Sequence, residues 1–385
     1  MVNSFRRVLI LADESADWIV AGLRQLDRLA LSIDEFALEN KETAPVLVCI
    51  FWRSDLDQVQ RWTPKHERMT RVAFTTELDG APFDLVLSTR MFFYRKALRQ
   101  LIDPSAKIIS PLGGTDSWEN TFREVGSFAQ SQEGAWEYIK DGNQIDGIEK
   151  RFLRGSGKSQ DGFVSRYLNR PISRVVTRLL LRFPTTPNAW TLFILPIPIA
   201  ASLILLNGTY WSFLWGLVLF QVFSVLDGCD GEIARAKFLE SESGRRLDYL
   251  CDVFGNVLLA VSLGFGLSRQ ANLTGWFYLG EGLIAGALIG ANEFLLARSK
   301  ADEHTAGSLG GALYPRHREL VERSGMLLFG KKFAFWLIQL TKRDVAVLFF
   351  VFLAAVGLPA LILHLLVIVT ALTVALSLRS FSRRS

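Results

Sequence analysis

Four aspartates, Asp227, Asp230, Asp248 and Asp252, carry the densest chemistry in this 385-residue chain. They lie in one stretch: Asp227-Gly-Cys-Asp230-Gly231-Glu-Ile-Ala234-Arg235, eight further residues, then Gly244-Arg-Arg-Leu-Asp248-Tyr-Leu-Cys-Asp252. Asp227 and Asp230 are three residues apart and Asp248 and Asp252 four, so on helices each pair shares a face. Two antiparallel helices joined by a short turn bring the pairs together. Converging carboxylates at a membrane edge cannot sit there unpaired. Oxygen-only ligands point to Mg²⁺ or Mn²⁺ rather than zinc. Four negative charges balance two such ions. Gly231 and Gly244 let a ligand approach the backbone, and Arg235 can hold a phosphate by a charge-assisted fork. A two-metal site beside a phosphate fork suits in-line displacement at phosphorus.

The elements that must position these residues are apolar helices. Between Arg182 and Asp227 run 44 uncharged residues, and between Asp344 and Arg379 another 34. A bilayer span needs roughly 20. A purely soluble enzyme, a disordered chain and a disulfide scaffold are excluded; the three cysteines form no paired framework. Six spans are expected, roughly Asn188–Leu206, Tyr210–Leu226, Leu247–Leu267, Thr274–Ala297, Asp344–Val356 and Pro359–Leu378. The connection 298–343 is rich in Lys and Arg and the tail carries three more. By the positive-inside rule these, both termini and the aspartate turn are cytoplasmic. The N-terminus does not read as a signal peptide, so insertion is expected through the internal spans, into the inner membrane if the source is bacterial. Gly282, Gly286 and Gly290 form a small-residue stripe, suited to close packing within one subunit or across the expected homodimer.

Ahead of the spans, Arg174, Arg178 and Arg182 share one helix face of Pro171–Phe183, with Ile172, Val175, Val176, Leu179 and Leu180 on the other. A basic amphipathic helix at this place suits the surface of anionic lipid. Residues 1–150 carry 18 basic and 23 acidic residues, net −5; residues 151–385 carry 25 and 15, net +10. The first part alternates β-rich runs (Val8–Leu11, Val46–Trp52, Leu85–Ser88, Lys107–Ser110) with helical patterns such as Trp18–Leu38. The expected fold class is therefore an α/β cytoplasmic domain with a parallel sheet, followed by an all-α six-span transmembrane bundle. The expected divisions are 1–150 for the α/β domain, 151–186 for linker and interfacial helix, and 187–385 for the membrane domain. The polar, Gly/Ser-bearing segment 141–170 reads as linker.

The aspartate stretch resembles, at every fixed position, the signature of the CDP-alcohol phosphotransferase family, Asp-x2-Asp-Gly-x2-Ala-Arg-x8-Gly-x3-Asp-x3-Asp. The resemblance covers residues 161–385 in span count and motif placement. It implies transfer of a substituted phosphate from a CDP-alcohol to an acceptor hydroxyl with release of CMP. It implies two metal ions on Asp227, Asp230, Asp248 and Asp252, with Asp252 as the base. Gly231, Ala234, Arg235 and Gly244 would shape the CDP site, and Asn188 and Thr191, opening the first span, would reach the nucleotide phosphates. Lys237, Arg298 and Arg343 are candidates for an acceptor that itself carries a phosphate; Arg245, Arg246 and Lys342 are further basic residues near span ends. Of the intramembrane polar residues, Glu293 is read as functional and Glu281 and His364 as structural.

Some family members fuse a nucleotidyltransferase domain ahead of the same membrane domain. The first part here resembles those inositol-phosphate cytidylyltransferase/di-myo-inositol phosphate phosphate synthase fusions. Its loop after the first strand reads Ala12-Asp-Glu-Ser-Ala-Asp17, with no glycine and three acids that would repel a triphosphate. Leu85-Val-Leu-Ser88 runs into Thr89-Arg90, where a metal-binding aspartate is expected. The domain is thus read as an inactive relic with a structural, regulatory or substrate-binding role. A bifunctional cytidylyltransferase/phosphotransferase is the rival enzyme reading, and a metal- and nucleotide-binding scaffold or transporter the non-enzyme one. Membrane lipid is an expected partner and nucleic acid is not.

Overall fold

A computed structural model describes residues 6–40, 44–57, 61–65, 68–95, 97–98, 118–131, 136–155, 162–271, 275–301 and 342–382. The expected strand Lys107–Ser110 and most of the basic connection 298–343 lie outside the described residues. The chain forms two compact units. The first is Met1–Gly155 together with Ala236–Phe238; the second is Ser156–Arg235 with Leu239–Ser385.

In the first unit the chain runs β1 (Arg7–Ala12), β2 (Ile19–Val20), β3 (Leu23–Arg24), α1 (Gln25–Glu39), β4 (Val46–Trp52), β5 (Val72–Thr75), β6 (Leu85–Ser88) and β7 (Met91–Phe93). Then come α2 (Trp118–Ser131), β8 (Trp136–Tyr138) and α3 (Ile145–Gly155). Four strands form a parallel sheet in the order β5-β4-β1-β6, with Val8 opposite both Val48 and Leu85. Parallel strands covered on both faces need continuous apolar runs rather than alternation. Val8 to Ala12 and Leu85 to Leu87 supply them, all buried. The helix expected over Trp18–Leu38 begins only at Gln25. Ala21 and Gly22 both have positive φ, 49° and 80°, which folds the preceding residues into the β2–β3 hairpin instead. Within the stretch expected to be linker, α3 is amphipathic and buries Ile148, Phe152 and Leu153. Phe152 meets Phe92 edge-on at 5.5 Å.

The largest fully buried side chain of this unit is Arg28, 1% exposed. Its Nη2 donates to the carbonyls of Val20 (2.7 Å), Ala21 (3.2 Å) and Ala236 (3.0 Å). The rings of Phe92, Phe152 and Phe238 lie 5.2–5.8 Å from its guanidinium carbon. Phe238 is held at φ 55°, its carbonyl accepting from Arg68 Nη1 at 2.7 Å.

The second unit is helical: α4 (Arg170–Leu180), α5 (Pro187–Ile194), α6 (Pro196–Leu205), α7 (Tyr210–Ala236), α8 (Glu242–Gln270), α9 (Gly275–Ala301), α10 (Arg343–Ala355) and α11 (Pro359–Ser382). Among the described residues three stretches are long and apolar enough to cross a membrane: Pro187–Leu205, Tyr210–Ala236 and Glu242–Gln270. Pro196 starts a new helix inside the first, because proline brings no N–H to continue the ladder. Gly208, at φ 68°, ends it. The glycine stripe on α9 packs within the chain. A Cβ on Gly282 would meet Gly264 Cα and the Ala260 carbonyl at 2.9 Å, and one on Gly286 would meet Val261 at 3.1 Å. Among the described residues Gly290 faces nothing within 4 Å.

Candidate active site

α7 does not stop at Leu226, as the expected span does, but continues to Ala236 and carries Asp227 and Asp230 on its last turns. Ser241 caps α8: its Oγ accepts from the Gly244 amide at 3.1 Å, starting the helix that carries Asp248 and Asp252. Thr186 caps α5 in the same way, accepting from Ala189 N at 3.3 Å, with Pro187 at the first helical position. This puts Asn188 and Thr191 in the opening turns of α5.

Asp227, Asp230 and Asp248 each offer a carboxylate oxygen within 4.8 Å of the others. Thr191 Oγ1 donates to Asp230 Oδ2 at 2.9 Å, and the Gly231 amide donates to Oδ1. Asp230 is 9% exposed. Trp190 Nε1 donates to the Leu226 carbonyl at 2.9 Å, tying α5 to the residue before Asp227. Asp252, expected as the fourth ligand, is not in that group of three: it pairs with Arg343, whose Nη1 also stands 3.6 Å from Asp227 Oδ2. The Arg343 guanidinium lies over the Phe223 ring at 5.6 Å. Among the described residues the buried Oδ1 of Asp252 has no hydrogen-bond donor. The single charge of Arg343 is outnumbered by these carboxylates, and charges so crowded call for a further cation. The donor set, all oxygen, fits a hard divalent ion.

The residues expected to shape the CDP site gather round the same helices. A Cβ on Gly244 would lie 2.8 Å from Asn188 Oδ1 and 2.9 Å from Ser241 Oγ, so the bare glycine lets Asn188 in. Arg235 folds back one turn, its Nη1 3.1 Å from where a Gly231 Cβ would stand. Ala234 is buried. Thr191, expected at the nucleotide phosphates, donates to Asp230.

The acceptor candidates fare differently. Lys237, a candidate for the acceptor's phosphate, is 7% exposed and belongs to the first unit; burial holds its ammonium below the usual lysine range. The side chains of Arg298 and Glu293 lie outside the described residues. Glu281 Oε1 and His364 Nδ1 pair at 2.6 Å across α9 and α11. Sequence reasoning missed Glu232, Arg170, Ser173 and Thr177, a buried polar group where α4 meets α7. The available signal was a glutamate inside the aspartate stretch, at a position the signature leaves open.

The fold and the aspartate geometry define an α-helical membrane-type unit with a carboxylate cluster on two adjoining helices. The chain belongs to the CDP-alcohol phosphatidyltransferase family, which matches residues 184–378, half of its length. Among curated proteins it is similar to the bifunctional IPC transferase and DIPP synthase of Archaeoglobus fulgidus, 30% identical over 133 residues. That stretch is 34% of this chain and 26% of the relative. The protein of the same name from Thermococcus kodakarensis is 36% identical over 118 residues, 30% of this chain and 26% of the relative. The one from Aquifex aeolicus is 32% identical over 132 residues, 34% and 29%. The similarity spans less than a third of each of these relatives.

Proposed function

We propose that this protein is an integral-membrane transferase. It moves a substituted phosphate group from a CDP-alcohol to an acceptor hydroxyl and releases CMP. The observation that carries the reading is the meeting of Asp227, Asp230 and Asp248 within 4.8 Å, on the family's own signature. Asp227, Asp230, Asp248 and Asp252 would hold two Mg²⁺ or Mn²⁺ ions, whose chemistry is to neutralise the pyrophosphate and the leaving CMP.

The chain's own residues do the rest. Gly231 and Gly244 keep backbone open to the nucleotide, Ala234 keeps the wall small, and Arg235 forks a phosphate. Asn188, seated against Gly244, and Thr191, bonded to Asp230, close the same side. Asp252 takes the proton of the acceptor hydroxyl. The hydroxyl oxygen then bonds to the β-phosphorus as the bond from that phosphorus to the CMP oxygen breaks. Arg343 orients Asp252, and as an acceptor candidate it stands beside two site carboxylates.

The membrane reading is six spans, with the aspartate turn and the first unit cytoplasmic. It is supported by the three long apolar helices and by the exposed stripe Ile172, Val175, Leu179 on α4, which suits a lipid surface. The substrates belong to phospholipid or phosphodiester synthesis, with CDP-diacylglycerol and CDP-inositol the donors to test first. CMP release from a panel of CDP-alcohols and acceptors, with Mg²⁺ or Mn²⁺, tests the reading. Asp248→Asn is expected to abolish CMP release while the protein stays in the membrane; turnover at the wild-type rate in that variant refutes the assignment.

A further inference from the structure

We infer that Glu232 is a positioning residue: it seats α7 on α4 and so holds Asp227 and Asp230 in register with Asp248. This rests on the reading of the aspartates as a divalent-metal site and adds a residue that the signature leaves open.

Glu232 is 1% exposed. Its Oε1 accepts from Arg170 Nη1 at 3.0 Å and from Ser173 Oγ at 2.9 Å, and its Oε2 accepts from Thr177 Oγ1 at 2.7 Å. Arg170 is itself buried, and its Nη1 reaches the Gly228 carbonyl at 3.3 Å. A Cβ on Gly228 would stand 3.2 Å from that nitrogen, so the glycine gives the guanidinium its way in. Beside them Cys229 Sγ lies 3.5 Å from the Ser173 carbonyl, and Gln221 Nε2 donates to Asn169 Oδ1 at 2.9 Å. Residues 169, 170, 173 and 177 thus read residues 221, 228, 229 and 232 along one side of α7.

At about 100° per residue, Glu232 lies roughly 140–160° round the helix from Asp227 and Asp230. It therefore points away from the carboxylate cluster and cannot be one more ligand there. Three like charges within 4.8 Å push the helix that bears two of them to turn or slide away. Apolar contacts would let it do so at small cost. A buried carboxylate with three donors does not, because any turn leaves a charge without its partners.

The test is the Ser173→Ala/Thr177→Val double variant of the full-length protein in detergent, which keeps every acidic residue. Mn²⁺ alone is titrated and followed by electron paramagnetic resonance. Separately, maleimide labelling of Cys229 is timed in a Cys49→Ala/Cys251→Ala background. The expected result is Mn²⁺ binding weakened about tenfold and Cys229 labelled at least several-fold faster. Arg170→Met/Glu232→Met, which removes both charges together, is the second variant and is expected to behave alike. Mn²⁺ affinity within twofold of wild type in either folded variant overturns the inference, whatever the labelling rate. Absence of Mn²⁺ binding in the unmutated protein refutes the metal reading itself, and the positioning role falls with it.

Discussion

Gly244 is a glycine for reasons of space, since a single added methyl would press on Asn188 and Ser241 at under 3 Å. Gly244→Ala is therefore expected to raise KM for the CDP-alcohol at least tenfold. A CMP-release assay over donor concentration, with circular dichroism confirming intact helices, reads this out. A second residue-scale prediction concerns acid stability. Arg151 hydrogen-bonds Glu137, its Nε at 2.8 Å, and holds that carboxyl below the usual glutamate range; Tyr94 adds to this and burial opposes it. A depressed folded value stabilises above the ordinary glutamate pKa, and the contribution is lost as pH falls through the lowered value. Glu137→Gln should remove that part of the acid-side slope, a difference of under about 1 kcal/mol because Arg151 is half-exposed. Thermal melts between pH 3 and 6 show it. At this scale the aspartates were legible because helix periodicity is local. Arg343 against Asp252 and Glu232 against Thr177 were not, since their partners lie 91 and 55 residues away, across contacts that only packing creates.

Elements were legible where their pattern was long. Val46–Trp52 and Leu85–Ser88 read directly as buried parallel strands, because a continuous apolar run needs cover on both faces. β7 and β8 are three residues each and pair Met91 with Tyr138, so no periodicity announced them. The glycine stripe on α9 was open between two uses, and packing divides it: Gly282 and Gly286 meet α8, while Gly290 does not. Gly282→Leu should force backbone apart and cost about 1–3 kcal/mol or more, lowering the melting temperature in detergent. Gly290→Leu should leave it near wild type. α4 inverts the usual amphipathic order, burying Arg170, Ser173 and Thr177 and exposing Val175 and Leu179. The charge stripe and the apolar face opposite it were visible in sequence; the contacts of Ser173 and Thr177 with Glu232 were not.

At the scale of the whole molecule, the crevice beyond β1 and β6 is the place where a parallel sheet of this order would take a ligand. Beyond those strand ends the chain's own polar groups bond to one another. Asp13, buried, accepts from Ser15 and Thr89 and pairs with Arg90 Nε at 2.7 Å; Arg90 also holds Glu14 at 2.5 Å and the Lys140 carbonyl at 2.8 Å. We propose on this ground that the first unit is a relic of nucleotidyltransferase chemistry, while the relatives carry a bifunctional name. The intact protein, given CTP, Mg²⁺ and a phosphorylated alcohol, should form no CDP-alcohol; product detected by mass would reverse that reading.

The buried Arg28 has a consequence for how the protein is made. Two of its carbonyl partners lie within eight residues of it, but the third, Ala236, is encoded 208 residues later. At translation rates of roughly 5–20 residues per second, the nascent first unit waits on the order of 10–40 s for that oxygen. During this interval its central cation lacks one acceptor, and the two apolar stretches that precede Ala236 are already leaving the ribosome. The first unit therefore completes the contacts of its buried arginine only after both apolar stretches have been synthesised, so its last step of folding waits on sequence that belongs to the second unit.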